Sequence, residues 1–164
     1  MGGFAACALV ACGTSVAAAE AIGWSSIVVP RFGTRAEIPT SIFIHQRDPD
    51  NGDGVTLKAT DGARLLIYGS WYDEDGRTPT QRWVWLRRAE PLRYAHVNYL
   101  RTGKDFLVVS GTIGATEFYE RYRFDDPSGA RHALIFEYPK GKIAKYRPLV
   151  SRISASLSFS RPMQ

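Results

Sequence analysis

Asp48, Asp50 and Asp53 in the stretch DPDNGDG bring three carboxylates together, as a calcium loop would. An EF-hand loop needs oxygen ligands at positions 1, 3 and 5, glycine at 6 and a bidentate glutamate at 12. Counting from Asp48 puts Gly52 at 5, Asp53 at 6 and Ala59 at 12, so the register fails at three places. The stretch reads instead as a solvated turn capped by its own Asn and Asp side chains. His45, His96 and His132 stand apart from one another, without the spacing of a metal pair. Ser110-Gly111 lacks the G-x-S-x-G context of a nucleophile elbow, and Gly111 and Gly114 are followed by no Lys-Ser or Lys-Thr of a phosphate loop. Glu120 is the one carboxylate that strand alternation places among apolar neighbours, and pairing with an arginine on an adjacent strand is the expected use. The residues therefore point to no catalytic, cofactor-binding or metal site.

Charge is more informative. Net charge by segment is +1 over residues 1–47, −5 over 48–76, +6 over 77–104, −3 over 105–139 and +6 over 140–164. Both basic segments hold an expected helix. Arg82, Arg87 and Arg88 on the first, with Lys140, Lys142, Lys145, Arg147 and Arg152 on the second, form a candidate basic binding surface for an anionic partner. Exposed arginines on a helix are also ordinary solubilising residues.

The elements that would position these groups can be read from turn chemistry and periodicity. Val55 to Thr60 and Ala63 to Gly69 are β-rich runs around Asp61-Gly62, which predicts a hairpin on a type I′ turn. With Thr60 opposite Ala63, Leu57 pairs with Leu66 and Val55 with Tyr68 on one face, and Thr56 with Ile67 and Lys58 with Leu65 on the other. The second strand is apolar on both faces, so it belongs inside a sheet. Ile27 to Pro39 reads as one strand with a bulge at Gly33, offering Phe32, Ala36 and Ile38 to the core. Thr78-Pro79-Thr80-Gln81 is a helix start with a capping box; the helix runs to about Ala89, with Trp83 and Leu86 buried and Arg82, Arg87 and Arg88 towards water. Strands follow at Arg93 to Leu100, Phe106 to Ser110, Glu117 to Phe124 and Arg131 to Tyr138. Pro148 then opens a terminal helix with an apolar stripe through Leu149 or Val150, Ile153 and Leu157.

Residues 1–19 contain no ionised side chain, and all 21 Lys and Arg lie at or beyond Arg31. This is the profile of an export signal, too short to span a membrane and ending in the small residues Ala17-Ala18-Ala19. Only the charged opening of such a signal is missing. Cleavage before Glu20 would leave no cysteine, since Cys7 and Cys12 both lie in the signal. The run Leu9-Val10-Ala11-Cys12 also matches a lipobox, which would anchor the chain to a membrane through Cys12. The expected layout is thus a signal over 1–19, a leader over 20–27, one domain over 28–158 and a tail over 159–164, in a periplasmic or secreted protein.

The succession RFGTRAEIP, NGDGVTLKATDGARLLIYG, DFLVVSG with EFYERYRF, HALIFEYP and KYRPLVSRISASL resembles secreted bacterial members of the PsbP-like family. That resemblance spans Arg31 to Leu157. It implies an α+β fold: an α/β/α sandwich around a mainly antiparallel sheet of about six to seven strands, shared by an extrinsic photosystem II subunit and a Ran-binding nuclear import factor. Those proteins act through protein partners, so the resemblance implies a noncatalytic binding or accessory protein with a protein or anionic surface partner, and not nucleic acid. The alternative is a small periplasmic hydrolase or lipid-handling protein whose site is assembled from dispersed residues.

Overall fold

The computed structural model describes residues 22–45, 51–71 and 77–160. The expected signal over 1–19 and the aspartates Asp48 and Asp50 lie outside the described residues.

β1 (Trp24–Val29) and β2 (Thr34–Pro39) form an antiparallel hairpin, where the sequence suggested one bulged strand. The chain reverses through Pro30-Arg31-Phe32-Gly33 because Gly33 takes a φ of 64° and the Gly33 amide returns to the Pro30 carbonyl at 3.4 Å. β10 (Ser158–Phe159) pairs with β2 to complete a three-stranded sheet. The remaining strands are β3 (Ile44–His45), β4 (Gly54–Lys58), β5 (Arg64–Trp71), β6 (His96–Thr102), β7 (Phe106–Ile113), β8 (Thr116–Asp125) and β9 (Ala130–Pro139). They build a seven-stranded antiparallel sheet in the order β3-β4-β5-β9-β8-β7-β6, with α1 (Pro79–Ala89) on one face and α2 (Ile143–Ser156) on the other. This is the expected α/β/α sandwich, and β5 lies inside the sheet as its apolar faces require.

The β4–β5 hairpin forms with a register one residue away from the expected one. Leu57 pairs with Leu65 and Val55 with Ile67. Asp61 stays at negative φ and Gly62 alone is positive, at 90°, so the loop is the three-residue kind that ends in a left-handed glycine. The Ala59 amide bonds the Ala63 carbonyl at 2.9 Å, which fixes Ala59 opposite Ala63. The slip matters because the side-chain period is two. Val55, Leu57, Leu65 and Ile67 all enter the α2 face with Leu134, Phe136 and Tyr138, whereas Arg64, Leu66 and Tyr68 turn towards the α1 face.

α1 begins where its capping box places it: the Thr78 hydroxyl accepts from the Gln81 amide at 3.3 Å, and the Gln81 side chain accepts from the Thr78 amide at 2.8 Å. Trp83 and Leu86 bury against Leu107, Val109, Phe118 and Tyr122, but Arg82 is buried too, and not solvated as expected. α2 starts at Ile143, five residues before Pro148, so that proline sits inside the helix and does not open it. The 3-10 turn Lys140–Lys142 leads into it, and Pro148 is exposed, where the amide it lacks leaves no buried carbonyl stranded. The early start also brings Tyr146 into the core, packed on Phe43, Phe136 and Tyr138.

Candidate functional site

α1 covers only the β7–β8 half of its face. The uncovered half, over β5 and β9, is an open groove of about 490 Å³. Strand alternation supplies its floor: Arg64, Leu66 and Tyr68 from β5, with Arg131, Ile135 and Glu137 from β9. Arg82, Trp85 and Leu86 of α1 form one wall, and Glu90, Arg93 and Tyr94 continue it beyond the helix. Trp71, at the end of β5, and Trp85 are 62% and 44% exposed, although such large rings are ordinarily buried.

The carboxylate behind this groove is Glu120, which is wholly buried. Arg93 Nε donates to its Oε1 at 2.6 Å; the Tyr94 and Tyr122 hydroxyls donate to Oε2 at 2.9 and 2.6 Å. Arg93 also meets Glu137 at 2.9 Å. The expected arginine partner is therefore present, but it comes from the segment between α1 and β6 and not from a neighbouring strand. Burial opposes the Arg93 charge, yet the two glutamates hold it more firmly protonated than an ordinary arginine. Burial, followed by the Glu120 charge, pushes both tyrosines upward, so each keeps its proton as a donor. The network of ion pairs and hydrogen bonds anchors the chain after α1 to the sheet.

Arg131 is different. One of its terminal nitrogens donates to Ser70 Oγ at 3.1 Å, its guanidinium lies 5.9 Å from the Tyr68 ring and 5.7 Å from that of Tyr122, and its Nε meets no hydrogen-bond partner among the described residues. No carboxylate among the described residues pairs with it. Arg64, at the other end of the β5 floor, is exposed; the Glu137 opposite it in the ladder is already engaged by Arg93.

The eight basic residues singled out in the sequence fall on two faces of the sheet. Arg87 and Arg88 are exposed in the last turn of α1, near the groove, and Arg82 lines its wall. Lys140, Lys142, Lys145, Arg147 and Arg152 lie with α2 on the opposite face. There Lys145 pairs with Asp61 at 2.6 Å, and Arg152 pairs with Glu37 at 3.1 Å while stacking over Trp24 at 3.9 Å. His96 is exposed on β6. His132 is buried, 2.8 Å from the Thr34 hydroxyl and stacked on Phe159, and burial lowers its pKa to about 4. Asp53 bonds Arg31 at 2.7 Å and Asn51 at 2.6 Å, which ties the acidic turn to the β1–β2 hairpin.

A seven-stranded antiparallel sheet between two helices, extended by a small sheet beside α2, defines the class of fold. Cyanobacterial PsbP (CyanoP) from Synechocystis sp. PCC 6803 shares it, with a TM-score of 0.61 and 10% identity over 93% of this chain and 99% of that one. The Ran-binding protein Mog1p of Saccharomyces cerevisiae shares it too, with a TM-score of 0.56 and 7% identity over 85% of this chain and 96% of that one. No family model and no curated protein matches the sequence. The chain thus has the fold that the sequence pattern suggested, and at such identities the likeness establishes the fold alone.

Proposed function

We propose that this chain is a noncatalytic exported binding or accessory protein that engages a protein or anionic partner through its α1 face. The observation that carries the reading is the groove: aromatic and arginine side chains line an open trough, while the carboxylate behind it is consumed by three donors. Exposed tryptophan and unpaired arginine are recognition chemistry, enriched where proteins meet. A small hydrolase would need a carboxylate or a hydroxyl free to move a proton. Glu120 is held by three donors and Glu137 by Arg93, which leaves Glu90, exposed at the end of α1, as the remaining carboxylate of the groove; Tyr94 and Tyr122 hold their protons well past neutral pH. One of the two structures that share the fold, Mog1p, is a Ran-binding protein, which supports a binding role. Export rests on the uncharged Ala-rich leader, and anchoring through Cys12 is its variant.

The test is crosslinking in intact cells. A photoreactive side chain at Val84, exposed on α1 next in sequence to the groove-lining Trp85, should trap a discrete partner, and the same group at Arg147 on the α2 face should not. Equal trapping from both positions, or none from Val84, would contradict the reading. Intact-mass analysis of the exported protein tests the compartment: a start at Glu20 supports secretion, a lipidated Cys12 supports anchoring, and an intact Met1 on a cytoplasmic protein overturns both.

A further inference from the structure

We propose that the groove is the receptor for an extended acidic segment of a partner protein, two of whose carboxylates reach Arg131 and Arg64 while an apolar side chain between them lies on Leu66 and Ile135 beside Trp85. The inference rests on the binding reading and names the chemistry of the partner. Arg64 and Ser70, the residue opposite Arg131 in the ladder, are six positions apart on β5, which is about 20 Å of strand. Two arginines without a carboxylate partner among the described residues therefore stand at opposite ends of one floor, with an apolar centre between them. A fatty acid or a lipid headgroup brings one anionic centre and would leave one arginine unmatched. A carbohydrate polyanion would bring the charge but set hydroxyls on Leu66, Ile135 and Leu86. An extended peptide of seven residues offers both: side chains of alternate residues point to the same side, so acids at its ends and an apolar residue within can face the floor together. The cavity volume, 490 Å³, lies within the range of sites that hold small ligands and short segments. Arg131 suits the role of anchor, because its guanidinium is already held by Ser70, Tyr68 and Tyr122 and loses little freedom on meeting a carboxylate.

A phage-displayed octapeptide library panned on the purified protein, followed by fluorescence anisotropy with one selected peptide, tests this. The selected peptides should carry acidic residues on either side of an aromatic or aliphatic one. Arg131→Gln should weaken binding at least tenfold, and changing the matching peptide acid to its amide should weaken wild type as much while adding nothing in the Arg131→Gln background. Arg64→Gln should show the same relation with the other acid. Trp85→Ala, at an exposed position, keeps the test independent of folding and should also weaken binding, whereas Arg147→Glu on the far face should not. Selected peptides without acids, affinity indifferent to Arg131 and Arg64, or displacement of the peptide by palmitate with the same dependence on both arginines would overturn the proposal. Discrete crosslinking from Val84 with no acidic peptide selected would leave the binding reading standing and sink this one alone.

Discussion

Glu120 is the residue whose replacement separates a scaffold from a reacting group. Glu120→Leu removes the acceptor of the Tyr94 and Tyr122 hydroxyls and one of the two carboxylates that meet Arg93, at a position with no exposure to water. Each orphaned hydroxyl costs about 1–3 kcal/mol. Arg93 keeps Glu137, so its charge is only half uncovered; the total expected is about 3–5 kcal/mol, the usual cost of breaking a buried pair from one side. Against a domain stability of about 5–15 kcal/mol that is a large share. With a urea slope of about 2 kcal/mol per molar, the unfolding midpoint should fall by roughly 2 M. Tyr122→Phe alone should cost about 1.5–3 kcal/mol, because it removes a hydrogen bond to a charged acceptor, and should instead recover about 1–3 kcal/mol once Glu120 is already leucine, because it then removes an orphaned hydroxyl. Urea titrations of the four proteins in that cycle provide the assay. A Glu120→Leu protein within about 1 kcal/mol of wild type, or additive effects of the two changes, would refute the reasoning and return Glu120 to the list of groups free to react.

Three further outcomes are expected. Because burial holds His132 near a pKa of about 4, the unfolded chain binds the extra proton first as pH falls from 6.5; stability should decline from there to about pH 4 by roughly 3 kcal/mol and then level, and His132→Gln should flatten that part of a urea midpoint–pH curve. Gly111→Ala should destabilise by more than about 1 kcal/mol and loosen β6, since a Cβ there would come within 2.1 Å of the His96 carbonyl oxygen, which hydrogen exchange of the β6 amides would report. Reversing Arg87 and Arg88 to glutamate should slow association with an acidic partner and make it less sensitive to salt without moving the melting temperature, as surface plasmon resonance at two ionic strengths would show.

Local chemistry made much of this fold readable. Thr78, Pro79 and Gln81 mark the start of α1 because capping needs only neighbours in sequence, and the two apolar faces of β5 already required an interior strand. What escaped depended on a single dihedral or on distant packing. Asp61-Gly62 announces a hairpin, but whether Thr60 pairs with Ala63 or joins the loop is settled by local backbone angles, the φ of Asp61 among them, and that choice moves Leu66 from one face to the other. Pro148 resembles a first helical residue; only the 3-10 turn and the burial of Tyr146 reveal that the helix has already begun. Glu120 was legible as a carboxylate among apolar neighbours, and Arg93 as its partner was not, since the segment carrying it returns to the sheet only after α1 has docked. The groove was the least legible feature. Arg64 and Arg131 become ends of one floor only when β5 pairs with β9, and no pattern within either strand announces that pairing. The alternation of Arg64, Leu66 and Tyr68 was the available signal, and the one-residue slip concealed it.

Amide hydrogen exchange on the purified protein, with and without the partner trapped from Val84, most directly asks where that partner sits. Slowed exchange over β5 from Arg64 to Trp71, over β9 from Arg131 to Glu137 and in α1 around Trp85 is the result the groove predicts. Protection confined to the α2 face, around Lys142 and Arg147, with β5 and β9 unchanged, would contradict it.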